Sequence, residues 1–336
     1  MQLNYSFVIP VYNRPDELRE LLRSLTALDF ERPYEVVIVE DGSQFTAADV
    51  VEDFRGSLSL VYLTKENTGP GDSRNYGMAR ASGDYFLILD SDCILPPDYL
   101  RAIDTALSAE YVDCFGGPDA AHDSFTRIQK AINFAMTAVL TTGGIRGKEK
   151  SVGKFQPRSF NMGISLKAFE STGGFGKIHP GEDPDLSIRL WKNGFTTKLI
   201  PQAFVYHKRR IDFGLFFKQV KKFGKVRPIL NKWHPETGSI TYWFPSVFCL
   251  GFLFALILCF LAPYPYNYMF IGLYLLYFIL VFLSASISTK SPAVGVLSVI
   301  AVGIQFIGYG YGFLKSTILV NFSRRTPQEI FPQLFF

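Results

Sequence analysis

This 336-residue sequence predicts an α/β fold, a mostly parallel sheet with helices on both faces, followed by a membrane-spanning region. Three observations carry that expectation. Apolar runs of strand length alternate four times with segments of helical spacing, joined by short links, as in a parallel sheet with right-handed crossovers. One run, Tyr85-Phe-Leu-Ile-Leu89, does not alternate with polar residues and stops at Asp90-Ser91-Asp92; such a strand is buried on both faces. Between Tyr242 and Leu314 the only Asp, Glu, Lys or Arg is Lys290, which concentrates apolar sequence at the C-terminal end.

The first strand is expected over 5–10. Asn13-Arg14-Pro15-Asp16-Glu17 then supplies a capping residue, a proline and acids, all helix-start signals. Leu18, Leu21, Leu22, Leu25 and Leu28 follow at helical spacing. A second strand over 35–39 ends at Glu40-Asp41-Gly42-Ser43, and a helix over 47–54 leads to a strand over 58–63. A glycine-rich turn over 67–75 opens a helix to Ala81, and strand 85–89 comes next. The polar ends at 12–13, 40–41, 67–74 and 90–92 then share one sheet edge, where open α/β sheets bind ligands. Two carboxylates one residue apart there suit a divalent cation shared with substrate phosphates.

Further on, helices are expected over 98–109 and 125–140, with a glycine- and lysine-rich loop over 142–153. The chain rejoins the sheet at 160–166 and breaks at Gly173-Gly174-Phe175. Gly181-Glu182-Asp183-Pro184-Asp185 then leads into a helix through Trp191, and 198–206 reads as a last strand. From His207 to Lys232 nine Lys and Arg face one acid, Asp212, with large apolar residues interleaved. That composition describes a helix in a membrane interface, drawn to anionic head groups.

Spans over 243–261, 268–286 and 293–314 are each long enough to cross a hydrocarbon core. Three crossings would separate Lys315, Arg324 and Arg325 from the basic segment at 207–232, against the positive-inside rule. The expected organisation is a cytoplasmic α/β domain over 1–206, a basic interface segment over 207–240 and a membrane domain over 241–336. Cys93, Cys114, Cys249 and Cys259 have no metal or disulfide spacing and read as buried small hydrophobes. No basic leader precedes the first strand, and a net charge of +4 does not point to nucleic acid.

Val8-Ile-Pro-Val-Tyr-Asn13, Val39-Glu-Asp-Gly-Ser43, Asn67-x-Gly-x-Gly-x-x-Arg74-Asn-x-Gly77, Asp90-Ser-Asp92, Gly173-Gly-Phe175 and Glu182-Asp-x-Asp-Leu-x-x-Arg189 occur in one order. That ordered set resembles the family 2 glycosyltransferases of the GT-A fold, over about residues 4–230. The C-terminal spans resemble membrane-bound bacterial members that build polysaccharide on polyprenyl-linked sugars, placing the chain in the inner membrane. The resemblance implies a nucleoside diphosphate sugar donor, UDP-linked by expectation, and a Mn²⁺ or Mg²⁺ ion. Pro10 and Tyr12 would flank the base, Asp41 would accept from it, and Arg74 would lie near the nucleotide. Asp90 and Ser91 would meet the ribose side, while Asp92, with Asp90 and His207, would hold the metal.

Asp183 is the position matching the general base, its pKa raised by Glu182 beside it. One base without a second nucleophile implies a single displacement with inversion. Gln219, Lys222 and Phe223 stand where processive members carry Gln-x-x-Arg-Trp, without the planar fork of arginine. The few spans also suit addition of one sugar or few to a lipid-linked acceptor rather than a long polymer. A nucleotidyltransferase would need a glycine- and lysine-rich loop after the first strand, where this chain has Pro10-Val-Tyr-Asn-Arg-Pro15. A non-catalytic accessory subunit would leave Asp92 and Asp183 without a role.

Overall fold

The computed structural model describes residues 2–120, 125–142, 155–208 and 212–336, so nearly all of the loop expected over 142–153 lies outside them. The chain divides into two units: residues 1–122, 147–208 and 335–336 form the first, and 123–146 with 209–334 form the second.

The first unit begins with β1 (Tyr5–Val11), α1 (Pro15–Thr26), β2 (Glu35–Asp41), α2 (Ala48–Phe54), β3 (Ser59–Lys65), α3 (Pro70–Met78) and β4 (Tyr85–Leu89). It continues through β5 (Cys93–Ile94), α4 (Tyr99–Ala109), β6 (Cys114–Gly116) and β7 (Asp119–Ala120). After α5 (Arg127–Thr137) and α6 (Val139–Thr142) of the second unit, the chain returns with β8 (Asn161–Ser165), α7 (Leu166–Thr172) and α8 (Glu182–Lys192). β9 (Thr197–Leu199) and β10 (Val205–His207) complete it.

Seven strands form one sheet in the order β3-β2-β1-β4-β8-β6-β9. β1 to β4 pair in parallel, and β8 runs antiparallel between β4 and β6. Both faces are covered, which is why β4 lacks alternation. Leu87 and Leu89 pack with Leu18, Leu21 and Leu22 of α1 on one face. Phe86 and Ile88 pack with Met78, Leu186 and Leu190 on the other.

The single strand expected over 198–206 is instead two. Pro201 falls in the turn between them, β9 joins the large sheet, and β10 joins a three-stranded sheet ordered β5-β10-β7. A proline cannot donate to a ladder, so the chain changes sheets there. The consequence is functional, because β10 pairs His207 opposite Cys93, one residue from Asp92.

The second unit is helical, with α9 (Phe213–Trp233), α10 (Phe244–Leu261), α11 (Tyr266–Thr289) and α12 (Pro292–Phe322). Three of its helices, 240–261, 266–289 and 292–322, are long and apolar enough to cross a membrane. They differ in how they are packed. In α12, 44% of the most apolar window is buried against protein, compared with 11% for each of the other two. Leu253, Phe260, Leu275 and Ile287 on α10 and α11 are largely exposed, as lipid-facing residues would be.

The apolar face of α9 is used differently from the expectation. Phe216, Val220, Val226, Ile229 and Leu230 are buried, and Phe216 and Val220 share a core with Val302 and Phe306 of α12. The helix spends that face on protein rather than on lipid. Close approach is set by glycine: a Cβ on Gly224 would lie 2.2 Å from the Tyr309 carbonyl oxygen, and one on Gly312 would lie 2.4 Å from that of Lys221. Small residues at such a seam let two backbones meet.

Candidate active site

The carboxyl ends of β1, β2 and β4 deliver the residues expected there, and the turns that follow them hold those residues in place. Asn13, in left-handed backbone at φ 54°, accepts from the Gln44 and Phe45 amides at 2.8 and 3.1 Å. Its own amide donates to Ser43 Oγ at 2.7 Å. These bonds tie the end of β1 to the end of β2. Pro10 is partly buried in β1, and Tyr12 is 51% exposed at its end. Glu40 is buried and accepts from the Ala47 amide and from Tyr62 Oη, which makes it part of the scaffold.

Asp41 is buried and already engaged. Lys65 Nζ donates to its Oδ1 at 2.7 Å, the Thr68 amide at 3.0 Å, and the Gly69 amide to Oδ2 at 3.1 Å. The carboxylate therefore fixes the entry to α3. Lys65, at the end of β3, is a partner that the sequence reading missed.

Arg74 on α3 is the centre of the site. Its guanidinium is buried, donates to Asp90 Oδ1 at 2.7 Å and to Glu182 Oε1 at 3.3 Å, and lies over the Phe175 ring. It thereby joins the acidic stretch after β4 to the acidic stretch that opens α8. The next residue, Asn75, exchanges two 2.8 Å hydrogen bonds with the backbone of Phe175, which locks the Gly173-Gly174-Phe175 turn to α3. Motifs about 100 residues apart in sequence are one object in space.

Asp92 forms a second cluster. Its Oδ2 takes a hydrogen bond from Arg14, and its Oδ1 lies 3.2 Å from His207 Nε2. His207 stacks on Phe160 with ring centroids 4.7 Å apart. Burial by itself would raise the Asp92 carboxyl, but His207 and Arg14 bring it well below the usual carboxylate range. Ligand atoms of Asp92, Cys93 and His207 lie within 4.8 Å of one another. Burial, with Asp92 and Asp90 nearby, pushes the Cys93 thiol well above its ordinary value, and its Sγ lies 3.4 Å from the Phe160 carbonyl oxygen. Asp90 is not in this group, because its carboxylate is turned to Arg74. Ser91 is buried in the turn between them. Arg14, read from sequence only as part of a helix start, is the other missed residue here.

At the start of α8, Glu182 and Asp183 have opposite electrostatics. Glu182 Oε1 meets His179 Nδ1 at 2.8 Å as well as Arg74. Burial opposes its ionisation, yet His179 and Arg74 hold it at about 2. Burial pushes Asp183 up to about 6, and the charge on Glu182 adds to that, against the smaller pull of Arg74 and Ser159. The α8 N-cap is Gly181 with no side-chain cap, and both acids stand in the first turn of the helix, where its dipole favours negative charge. Asp185 pairs with Arg189 at 2.8 Å, and Arg189 donates to the Thr172 and Gly174 carbonyls, bracing the glycine turn. His179 carried no signal in the sequence, standing alone before Pro180.

Among the described residues, eleven buried side-chain polar atoms lack a hydrogen-bond partner, and five of them are here: Arg74 Nε, Asp92 Oδ1, Glu182 Oε2, Asp183 Oδ1 and His207 Nδ1. Such atoms are rare in folded proteins, and five of them gathered at one sheet edge suit a site whose bonding a ligand completes. A buried carboxylate oxygen facing an imidazole nitrogen, as Asp92 Oδ1 faces His207 Nε2, suits a divalent cation. Gln219, Lys222 and Phe223 lie on α9, in the second unit.

Residues 6–171, which hold β1 to β8 and the Asp92 stretch, match the family model described as Glycosyl transferase family 2. Poly(ribitol-phosphate) beta-N-acetylglucosaminyltransferase TarS of Staphylococcus aureus is 33% identical over 114 residues, which span 33% of this chain and 19% of TarS. Undecaprenyl-phosphate 4-deoxy-4-formamido-L-arabinose transferase of Serratia proteamaculans is 36% identical over 98 residues, 28% of this chain and 30% of that one. The shared stretch is thus under a third of either relative's length. The mannosyltransferase PcManGT from Pyrobaculum calidifontis, solved with GDP-Man and Mn²⁺, superposes with a TM-score of 0.57 at 15% identity, over 97% of this chain and 89% of its own. That likeness is one of fold. With the matched residues building the sheet and its acidic edge, the chain has the GT-A fold, and its residues 6–171 are a glycosyltransferase family 2 domain.

Proposed function

We propose that this chain transfers a sugar, with inversion, from a nucleoside diphosphate sugar to a membrane-associated, polyprenyl-linked acceptor. The observation that carries the reading is Asp183, a carboxyl pushed up to about 6 and linked through Glu182 and Arg74 to the acidic strand end. A base poised near neutral pH takes a proton efficiently. In the proposed step the acceptor hydroxyl gives its proton to Asp183 while its oxygen bonds to the anomeric carbon. The bond from that carbon to the diphosphate breaks on the opposite face, and its electron pair leaves with the diphosphate. Glu182 keeps the base's pKa high, and Arg74 keeps both in register. Asp92 and His207 are the residues that would hold a Mn²⁺ or Mg²⁺ ion, which when bound supplies counter-charge to the leaving diphosphate.

The donor class is supported by family membership and by the nucleotide sugar in the PcManGT complex, whose fold this chain shares. UDP remains the donor nucleotide of this proposal. The lipid-linked acceptor is supported by the undecaprenyl-phosphate relative and by three helices suited to a membrane. Within the second unit, the lipid-exposed hairpin α10–α11 would make two crossings, and the C-terminal half of α12 would stay beside α9. Lys290, Lys315, Arg324 and Arg325 then share the side of the α9 lysines, as the positive-inside rule requires.

Asp183→Asn tests the chemistry. It keeps size and hydrogen bonding but not the proton acceptor, so transfer should fall by roughly 10²–10⁴, while donor binding by titration stays near normal. Loss of donor binding would make Asp183 a donor-site residue, and a normal rate would remove it as the base.

A further inference from the structure

We propose that Lys221, Lys222, Lys225 and Lys315 form a site for the phosphate or diphosphate head group of a single membrane lipid, at the seam of α9 and α12. The proposal rests on the lipid-linked acceptor reading above and names where such an acceptor is gripped.

Packing brings these lysines together. Ser316 Oγ donates to the Lys225 carbonyl at 2.6 Å, and a Cβ on Gly312 would sit 3.2 Å from the Lys225 amide. Lys315, three residues on from Gly312 on the same side of α12, is near enough to Lys225 to act on its charge, and Lys221 and Lys225 are one helical turn apart. Aromatic rings wall the group. Lys221 Nζ lies 5.0 Å from the Tyr311 ring centroid and 5.7 Å from that of Phe217, and Lys225 Nζ lies 5.5 Å from Phe331.

No carboxylate among the described residues pairs with any of the four. Partial burial lowers the Lys225 ammonium below its ordinary value, and Lys221, Lys315 and Lys222 lower it further. Like charges gathered without a counter-charge are costly, and a multivalent anion relieves that cost through several charge-assisted hydrogen bonds. Lys222 and Lys315 are exposed, so the group is open to a ligand. A free anion would satisfy the lysines alone. The aromatic walls, in a unit whose neighbouring helices bare apolar residues, call for an anion attached to an apolar chain.

The test uses the full chain in phosphatidylcholine nanodiscs, with farnesyl diphosphate as the probe and binding read by native mass spectrometry. Wild type should bind it, and Lys225→Ala with Lys315→Ala should weaken binding at least about tenfold. The double Lys→Arg variant, with the same melting temperature, should restore it. Equal binding of inorganic pyrophosphate or of farnesol would overturn the proposal, as would binding that ignores the alanine changes. Displacement of the probe by phosphatidylglycerol in the disc would also overturn it, assigning the lysines to bulk lipid. Wild type that binds the probe but turns over no nucleotide sugar would sink the transferase reading and leave this site standing. An active enzyme whose probe binding ignores the lysines would do the reverse.

Discussion

In the first unit Arg74 lies between Asp90 and Glu182, Lys65 meets Asp41, and Arg14 meets Asp92. In the second, Lys221, Lys222, Lys225 and Lys315 lie together, and none has an acidic partner among the described residues. The difference follows burial. Arg74 and Glu182 are almost fully buried, where an uncompensated charge is very costly, so each charge brings its partner from another strand or helix. The lysines are half-buried or exposed, where water carries most of the cost. The buried site is set before any ligand arrives, and the lysine seam keeps unspent capacity for one.

Deleting a cation should have very different costs in the two units. Arg74→Met strands Asp90 and Glu182 and should cost about 3–5 kcal/mol of stability, the usual penalty for breaking a buried pair, measurable by denaturation in detergent. A loss of less than about 1 kcal/mol, the size of a surface pair, would show that water already reaches the guanidinium.

The next effect is on pH dependence. The base must be ionised, so transfer should rise through pH of about 6 and then level off. Glu182→Gln removes the neighbouring negative charge and leaves Arg74 acting on Asp183 unopposed, so the acidic limb should move to lower pH. A limb that stays in place would show that burial alone sets the value. The stability linkage has the opposite sign at each residue. The Asp183 contribution is present below its unfolded value of 3.8 and is lost as pH rises through about 6. The Glu182 contribution is present above 4.5 and is lost as pH falls towards about 2.

The smallest effect sharpens the comparison from the other side. Lys225→Met removes one of several like charges and should change stability by no more than about 0.5 kcal/mol, towards greater stability if at all. A clear destabilisation, read as a lower melting temperature, would reveal an acidic partner for that lysine.

The sequence by itself determined the sheet, the carboxylates at its edge and the long apolar helices. Those features are local: β4 is apolar throughout because both its faces are covered, and Asp90 and Asp92 stop it where the core ends. The pairing of charges was left to the tertiary structure. Nothing near Arg14 or Arg74 in sequence names Asp92 or Glu182, because each partner is brought by a different strand or helix. The same holds where Pro201 sends the chain into a second sheet, setting His207 opposite Cys93. In the second unit, composition marked α12 as a span like the others, and only packing showed that α9 lies against it. Hydropathy records how much a helix avoids water. Whether lipid or another helix replaces that water is decided by the fold.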